Sequence, residues 1–538
     1  MNKVKSLFTI QDNTLIGQKI EFPFDFVNVS QLVLENLKKH PDFVGQIDSS
    51  TGKTSTYKIL ADQSIRCAIW LTRQKIRSGD IVCIFTENNI LSWVPFLAIQ
   101  YIGAVFNGGT RDLSPGGARD FLKHCQPKII FTDDGTIQKI KEAVREVNLN
   151  AKIVAFSQSP DFISFEDILK ESSTDEVEKF KCTSVNQDDN AWLLCSSGST
   201  GKPKPVMYSY GGIFKRIFTY KYVYAKEDGK VFFYYIELNG NSTPLLIMRA
   251  ILSLSPTVIA HHLTPEEFCE VTEKYKVQFA RLGTRTATLL SKLDLRNYDL
   301  SSLNLIVIGG DKTRLEITKA INKMLPNGEV IQGGGMTEAG GRVIEQERGH
   351  NNHESFGFVC RNAQVKIVDI RTRETLSPNQ VGELCYKTEF LMKCYYKHPK
   401  LTKEVIDSEG WLHSGDLGYF DEEGYIYFVE RMKCTIKYKD FYVSAAEIEN
   451  LLIKHPDIED VAVVGAPHVL DNEHPMAFVV KIKNSEVSEA DIIQLSEQLG
   501  THKKLRGGVI FLETLPRMDE KIHRVTLKEM AKRYALKQ

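Results

Sequence analysis

The sequence has no excess of charge of either sign: lysine plus arginine and aspartate plus glutamate number 68 each over 538 residues. No global field is available to recruit nucleic acid or an anionic membrane, so partners must be sought at sites. Paired cysteines are lacking too. The ten cysteines are scattered singly from Cys67 to Cys434, with no CxxC pair and no histidine–cysteine cluster at metal-ligand spacing. That argues against a zinc site or a disulfide framework and fits a reducing compartment. No apolar run nears the length of a membrane span, and Met1-Asn2-Lys3-Val4-Lys5 leads into no apolar core of signal-peptide length. The expectation is a soluble, cytoplasmic protein without stable membrane insertion. A peroxisomal location stays open, but the final Ala535-Leu536-Lys537-Gln538 is not a Ser-Lys-Leu type of address.

What is present has ordinary globular proportions, 42% apolar and 25% charged, and enough length for several domains. Strand-like runs at Ile81–Phe85, Lys128–Thr132 and Ile153–Phe156 alternate with helical segments at Thr56–Gly79 and Ala118–His124. Such alternation implies βαβ units and a parallel sheet. Ser30 is expected to cap a helix carrying Leu32, Val33, Leu34 and Leu37, and Glu171–Glu178 is expected to be a surface loop. From Gln364 to Val429 short strands separated by turn residues suggest a small β subdomain, and after Glu430 the pattern resets to α+β. The expected fold is α/β: a large N-terminal domain of layered, mostly parallel sheets over 1–430, with the β subdomain at about 355–430. A hinge at 431–433 and a small, mobile α+β domain at 434–538 follow.

The richest stretch chemically is Cys195-Ser196-Ser197-Gly198-Ser199-Thr200-Gly201-Lys202-Pro203-Lys204-Pro205. Glycines let successive backbone N–H groups converge, hydroxyls add donors, and two lysines stand beside them, which suits a polyphosphate. It is not a Walker A loop, because Pro203 follows Lys202 where that motif needs a helix to start. Alone it also admits a second reading, a solvated hydroxyl-rich hairpin. Two strand-like runs then end on glycines: Leu303–Ile308 before Gly309-Gly310, and Val330-Ile331-Gln332 before Gly333-Gly334-Gly335-Met336-Thr337-Glu338. Strand ends of this kind expose backbone to ligands, and the second is expected to feed a flexible loop. Glu338 is a natural magnesium ligand if phosphates lie near. Asp416, expected on a tight turn after Gly415, could accept both hydroxyls of a ribose, whereas His413 reads as a satisfied structural histidine.

Taken in order, Ser196 to Lys204, Gly335-Met336-Thr337-Glu338, Gly415-Asp416, Glu430-Arg431-Met432-Lys433 and Lys521 resemble the adenylate-forming superfamily of acyl-CoA synthetases, coumarate–CoA ligases and firefly-type luciferases. The resemblance covers about residues 50 to 535. It implies ATP, Mg²⁺ and coenzyme A as cofactors and a small carboxylic acid as the partner molecule. Ser197, Ser199, Thr200 and Lys204, with Gly198 and Gly201, would hold the β and γ phosphates. Thr337 and Glu338 would place the α phosphate and the metal, with Thr200 a second metal ligand. Gly309, Gly310, Gly333, Gly334 and Gly335 would border the nucleotide. Asp416 and Arg431 would grip the ribose, and Lys433 would be the pivot of the C-terminal domain. Lys521 would reach into the cleft for adenylation, and the face near Lys437 to Tyr442 would replace it for attack by the CoA thiol.

The departures from that pattern are specific. Gly334 stands where relatives carry a tyrosine that stacks under adenine, which predicts weaker ATP binding. Asp311 replaces a small residue, Pro205 a glycine, and Tyr210 a histidine. Ile236-Glu237-Leu238-Asn239-Gly240 replaces Pro-x-His-x-Gly at the acyl pocket. Asp440 and Glu520 replace glycines in the small domain. The function expected is an ATP-dependent acid:CoA ligase, acting through an acyl-adenylate on a fatty or aryl-alkyl acid. The alternatives are a luciferase-like oxygenase and a catalytically weak binding protein of the same fold.

Overall fold

The apolar runs form two large sheets with helices between them. The computed structural model describes residues 7–22, 25–109, 111, 113–158, 160–196, 204–261, 263–310, 313–349, 352, 354–432, 435–439, 441–518 and 521–536, with the backbone alone at 222, 441–442, 518 and 521. In the eight-stranded sheet Val105–Gly108, Ile81–Phe85, Ile129–Thr132 and Lys152–Ala155 lie parallel. Their near-continuous apolar sequences suit strands covered on both faces. In the nine-stranded sheet Thr257–Ile259, Phe232–Tyr234, Phe279–Gly283, Leu305–Gly309 and Glu329–Met336 form the parallel centre. One core runs from Ile84 and Phe106 on the first sheet, through Trp70, Phe96 and Ile217 on helices, to Tyr234 and Ile259 on the second. The helix Trp93–Tyr101 is apolar on every side because it is buried along its whole length.

A six-stranded antiparallel sheet brings together Ala363–Val368, Gly382–Thr388, Leu412–Phe420 and Ile426–Arg431, and the N-terminal hairpin Phe8–Gln11/Thr14–Gly17 extends it. The C-terminal residues form a separate five-stranded sheet. Its strand Ile458–His468 buries Val461 and Val463 in one core and Ala462 and Val464 in another, the latter closed by the helix Arg524–Ala535. The α/β expectation with a smaller C-terminal α+β unit describes this architecture. No helix among the described residues is long and apolar enough to cross a membrane.

Two local expectations need correction. Asn28, not Ser30, caps the helix Val29–Lys39: its backbone is still extended, and its side chain accepts from the Ser30 N–H. The expected loop at Glu171–Glu178 contains a helix, Thr174–Lys179, because Ser173 and Glu176 form a reciprocal capping box.

Glu430 joins the antiparallel sheet to the C-terminal unit. Its Oε1 accepts from Ala446 N–H at 3.1 Å, at the start of the helix Ala445–Leu452. Burial, reinforced by the Glu449 carboxylate, raises the Glu430 pKa to about 7. The folded protein therefore holds a proton there that the unfolded chain releases near pH 4.3. Stability from this group is complete below about pH 4.3 and declines until the pH passes about 7, by on the order of 4 kcal/mol at most. Glu430→Gln keeps the acceptor and removes the charge. It should flatten that decline and raise stability at pH 8, as read by denaturant unfolding at pH 5 and pH 8; parallel slopes in the two proteins would assign the pH dependence elsewhere.

Candidate active site

The parallel strands Phe279–Gly283, Leu305–Gly309 and Glu329–Met336 end side by side, and a cavity of about 1190 Å³ lies at their carboxyl ends. This is where open α/β sheets bind ligands. Gly309, Gly310, Gly333, Gly334 and Gly335 all line it. Gly310 has φ 117° and nothing within 4 Å of where a Cβ would stand, so the backbone itself meets the cavity. Gly333–Gly335 are not the flexible loop expected. They continue the strand Glu329–Met336 and pair with Gly341–Glu345. A Cβ on Gly335 would lie 2.0 Å from the Gly341 carbonyl oxygen, so glycine is what allows these two backbones to pair so closely.

The stems of the hydroxyl-rich stretch are the strands Asn190–Ser196 and Lys204–Ser209, with Ser196 opposite Lys204. Ser197, Gly198, Ser199, Thr200 and Gly201 lie outside the described residues. Ser196, Lys204, Thr337 and Glu338 all line the cavity. The nearly buried Glu338 carboxylate accepts through Oε1 from the Ser196 hydroxyl at 2.8 Å and the Tyr395 hydroxyl at 2.7 Å. Lys204 Nζ stands 5.1 Å from the centre of the Tyr395 ring, and the Tyr208 hydroxyl donates to the Thr337 carbonyl. A carboxylate is thus fixed between the two stems of the loop, with an ammonium beside it. Hard oxygen and cationic groups arranged this way suit a metal-bound polyphosphate.

Asp416 and Arg431 are also brought together at the cavity, with Arg431 Nε 3.4 Å from Asp416 Oδ1. Asp416 sits within the strand Leu412–Phe420 rather than on a tight turn. The register slips opposite Glu383 and Cys385, Gly415 takes φ 71°, and its N–H donates to Glu383 Oε1 at 3.0 Å. A bulge of this kind re-aims a side chain without ending the strand. His413 contacts Glu383 Oε2 through Nδ1 at 3.0 Å, and that hydrogen bond raises its pKa above the ordinary histidine value. Glu383, Cys385 and His413 converge closely enough to hold an ion, a cluster their spacing in the chain could not reveal. Arg373 pairs with Glu383 at 2.7 Å, so the arrangement is a charged hydrogen-bond network with its own cation.

Of the candidate catalytic lysines, Lys437 is not among the described residues of the cavity wall, and the side chain of Lys521 lies outside the described residues. Lys437 is exposed on the strand Ile436–Tyr438, where its N–H donates to Glu473 Oε2 at 2.9 Å. Lys521 lies on the short strand Lys521–Ile522, paired with Arg517–Met518. Asp311, Lys433, Asp440 and Glu520 lie outside the described residues. Tyr210 is buried away from the cavity and bonds the Ala104 carbonyl.

Gly334 illustrates what the sequence left out. A Cβ there would stand 3.0 Å from Cδ1 of Phe356, which is buried and packs edge-on against Phe428. Gly334→Tyr requires that ring to give by a few tenths of an ångström at Cβ alone, and overpacking of about 1–3 kcal/mol offsets the stacking gain. The single variant should melt earlier with ATP affinity little changed. Adding Phe356→Leu should then raise ATP affinity by about 1–3 kcal/mol. Calorimetric titration with melting curves checks both, and tighter ATP binding by the single variant without loss of stability would contradict the steric reading.

Sequence reasoning missed Tyr208, which braces Thr337, and on the cavity wall Tyr395 with three arginines, Arg216, Arg281 and Arg342. No spacing rule could connect Tyr395 to Glu338. Arg281 did leave a signal, a charge interrupting the apolar strand Phe279-Ala280-Arg281-Leu282-Gly283.

Glycine-edged strand ends, a carboxylate between two loop stems and an aspartate–arginine pair thus meet on one cavity. The AMP-binding enzyme model matches residues 33–396, and the AMP-binding enzyme C-terminal domain model matches residues 447–520. The chain belongs to the AMP-binding enzyme family. It is 32% identical over 504 residues to a 4-coumarate–CoA ligase of Humulus lupulus, covering 90% of each chain. It is 28% identical over 505 residues to luciferin 4-monooxygenase of Photinus pyralis, covering 89% of each. Among solved structures, the luciferase-like enzyme of the nonluminescent Zophobas morio mealworm superposes with a TM-score of 0.73 at 27% identity, covering 78% of this chain and 99% of that one.

Proposed function

We propose that this protein is an ATP-dependent acid:CoA ligase. The observation that carries the reading is the Ser196–Glu338–Tyr395 group with Lys204 beside it, at the glycine-edged end of the sheet. A substrate carboxylate oxygen attacks the α phosphorus of ATP, the bond to the bridging oxygen breaks, and pyrophosphate leaves. Lys204 faces the β and γ phosphates together with Ser197, Gly198, Ser199, Thr200 and Gly201. Thr337 meets the α phosphate, and Asp416 with Arg431 holds the ribose. Magnesium, held by Glu338 and Thr200, would neutralise phosphate charge as pyrophosphate departs.

Lys521 supplies a further cation during adenylation, where charge grows on the nonbridging oxygens. The small domain, from about residue 434, turns about the hinge at 431–433 and exchanges Lys521 for the face around Lys437. The CoA thiolate then attacks the acyl carbonyl and AMP leaves. The acid is of the aryl-alkyl rather than the fatty class, since the rings of Tyr220 and Tyr235 line the cavity and the polar Arg216 and Arg281 interrupt the apolar wall that a long aliphatic chain would need.

The test is incubation of the full chain with ATP, Mg²⁺, CoA and a panel of aryl-alkyl and fatty acids, with acyl-AMP and acyl-CoA read by mass spectrometry. Both species should form from at least one aryl-alkyl acid. Tight ATP binding with neither product from any acid would favour a binding protein of this fold.

A further inference from the structure

Arg281 is a cation that the adenylation reading does not use. It lies on the strand Phe279–Gly283, opposite Val307 of the neighbouring strand, and its guanidinium faces the cavity. Nη2 is 3.4 Å from where a Cβ of Gly309 would stand, so the glycine leaves the fork room against the cavity floor. Among the described residues Arg281 makes no hydrogen bond and no ion pair. Burial, and then the neighbouring Arg342, hold its pKa down to about 10, which still leaves it charged at neutral pH.

The two guanidiniums near it are differently placed. Arg342 is ion-paired to Glu345 and bonded to the Tyr224 hydroxyl, so its charge is answered within the protein. Arg216 donates to the side-chain oxygen of Asn241 at 2.6 Å and to the Asn241 carbonyl at 3.1 Å, both neutral, and its buried Nε has no partner among the described residues. The buried Arg216 and the half-buried Arg281 thus have no carboxylate of the described residues within ion-pair distance. A cation partly withdrawn from water and left without a carboxylate favours an anion that binds beside it.

The reacting carboxylate of the substrate is not that counter-charge. It must reach the phosphate side at Thr337 and Glu338, which follow the strand Glu329–Met336. In the sheet Leu305–Gly309 lies between that strand and Phe279–Gly283, so Arg281 is set back by two strand spacings, roughly 10 Å. A guanidinium fork matches a carboxylate with two parallel hydrogen bonds.

We propose that the acid accepted here is a dicarboxylic acid whose second, non-reacting carboxylate is held by Arg281, with Arg216 adding positive charge. The proposal rests on the ligase reading for the fate of the first carboxylate and not for the binding of the second. Arg281 is a specificity-determining residue, and it distinguishes acids of similar shape by charge.

The experiment compares terephthalate with its monomethyl ester and adipate with its monomethyl ester, on wild type, Arg281→Gln and Arg281→Lys. Acid-dependent pyrophosphate release is measured together with calorimetric binding of each acid. Wild type should prefer at least one diacid over its ester by about tenfold or more, Arg281→Gln should lose the preference, and Arg281→Lys should keep part of it. If no acid supports pyrophosphate release but a diacid binds wild type and not Arg281→Gln, the ligase reading fails and the anion site stands. If esters are turned over as well as diacids, the ligase reading stands and the anion site is overturned. The anion site is likewise overturned if neither diacid binds, or if Arg281→Gln weakens ATP and every acid alike, which would assign the guanidinium to the nucleotide.

Discussion

Lys521→Ala should lower acid-dependent pyrophosphate release by about 10²- to 10³-fold, the loss typical of removing one donor aimed at charge that develops in a transition state. The thioester step from a supplied acyl-adenylate should fall much less, since in this scheme Lys521 has left the cleft by then. The backbone pairing of Lys521–Ile522 with Arg517–Met518 is made by main-chain atoms, so the melting temperature should not change. Pre-steady-state measurement of both half-reactions separates the two effects. A variant impaired equally in both would place Lys521 outside the adenylation machinery.

Glu338→Gln should have a comparable effect for a different reason. The amide keeps an oxygen for the Ser196 and Tyr395 hydroxyls, so the hydrogen bonds at 2.8 Å and 2.7 Å survive and the fold loses little. The charge is gone, and a neutral amide is a poorer ligand for a hard cation. Adenylation should drop by about 10²-fold or more, with the magnesium titration moved to higher concentration. Glu338→Ala should instead cost stability as well, about 1–3 kcal/mol for each hydroxyl left unpaired. Identical magnesium curves for wild type and Glu338→Gln would reduce Glu338 to a brace between Ser196 and Tyr395.

What the sequence made legible follows from which forces act locally. Ile81–Phe85 and Leu305–Gly309 were readable because buried parallel strands are apolar at every position. Glu338 was readable because it follows three glycines at a strand end, and Asp416 and Arg431 because their motifs follow in order. Features made by pairing at a distance were not. Gly333–Gly335 looked like a loop, and only the close approach of Gly341 makes them strand. Asp416 looked like a turn residue, and only the register slip against Glu383 and Cys385 shows a bulge. Gly334 looked like a vacancy, but Phe356, 22 positions further on, borders it at 3.0 Å. The cation cluster was the largest omission, since Arg216, Arg281 and Arg342 come from two strands and a helix that meet only in the folded sheet.

Adenylation is the central claim, and acid-dependent exchange of labelled pyrophosphate into ATP, without CoA, measures it most directly. The account predicts exchange that requires both the acid and magnesium and that falls by about 10²-fold or more in Glu338→Gln. Exchange that proceeds without any acid, or its absence with every mono- and dicarboxylic acid tried while ATP still binds, would contradict it.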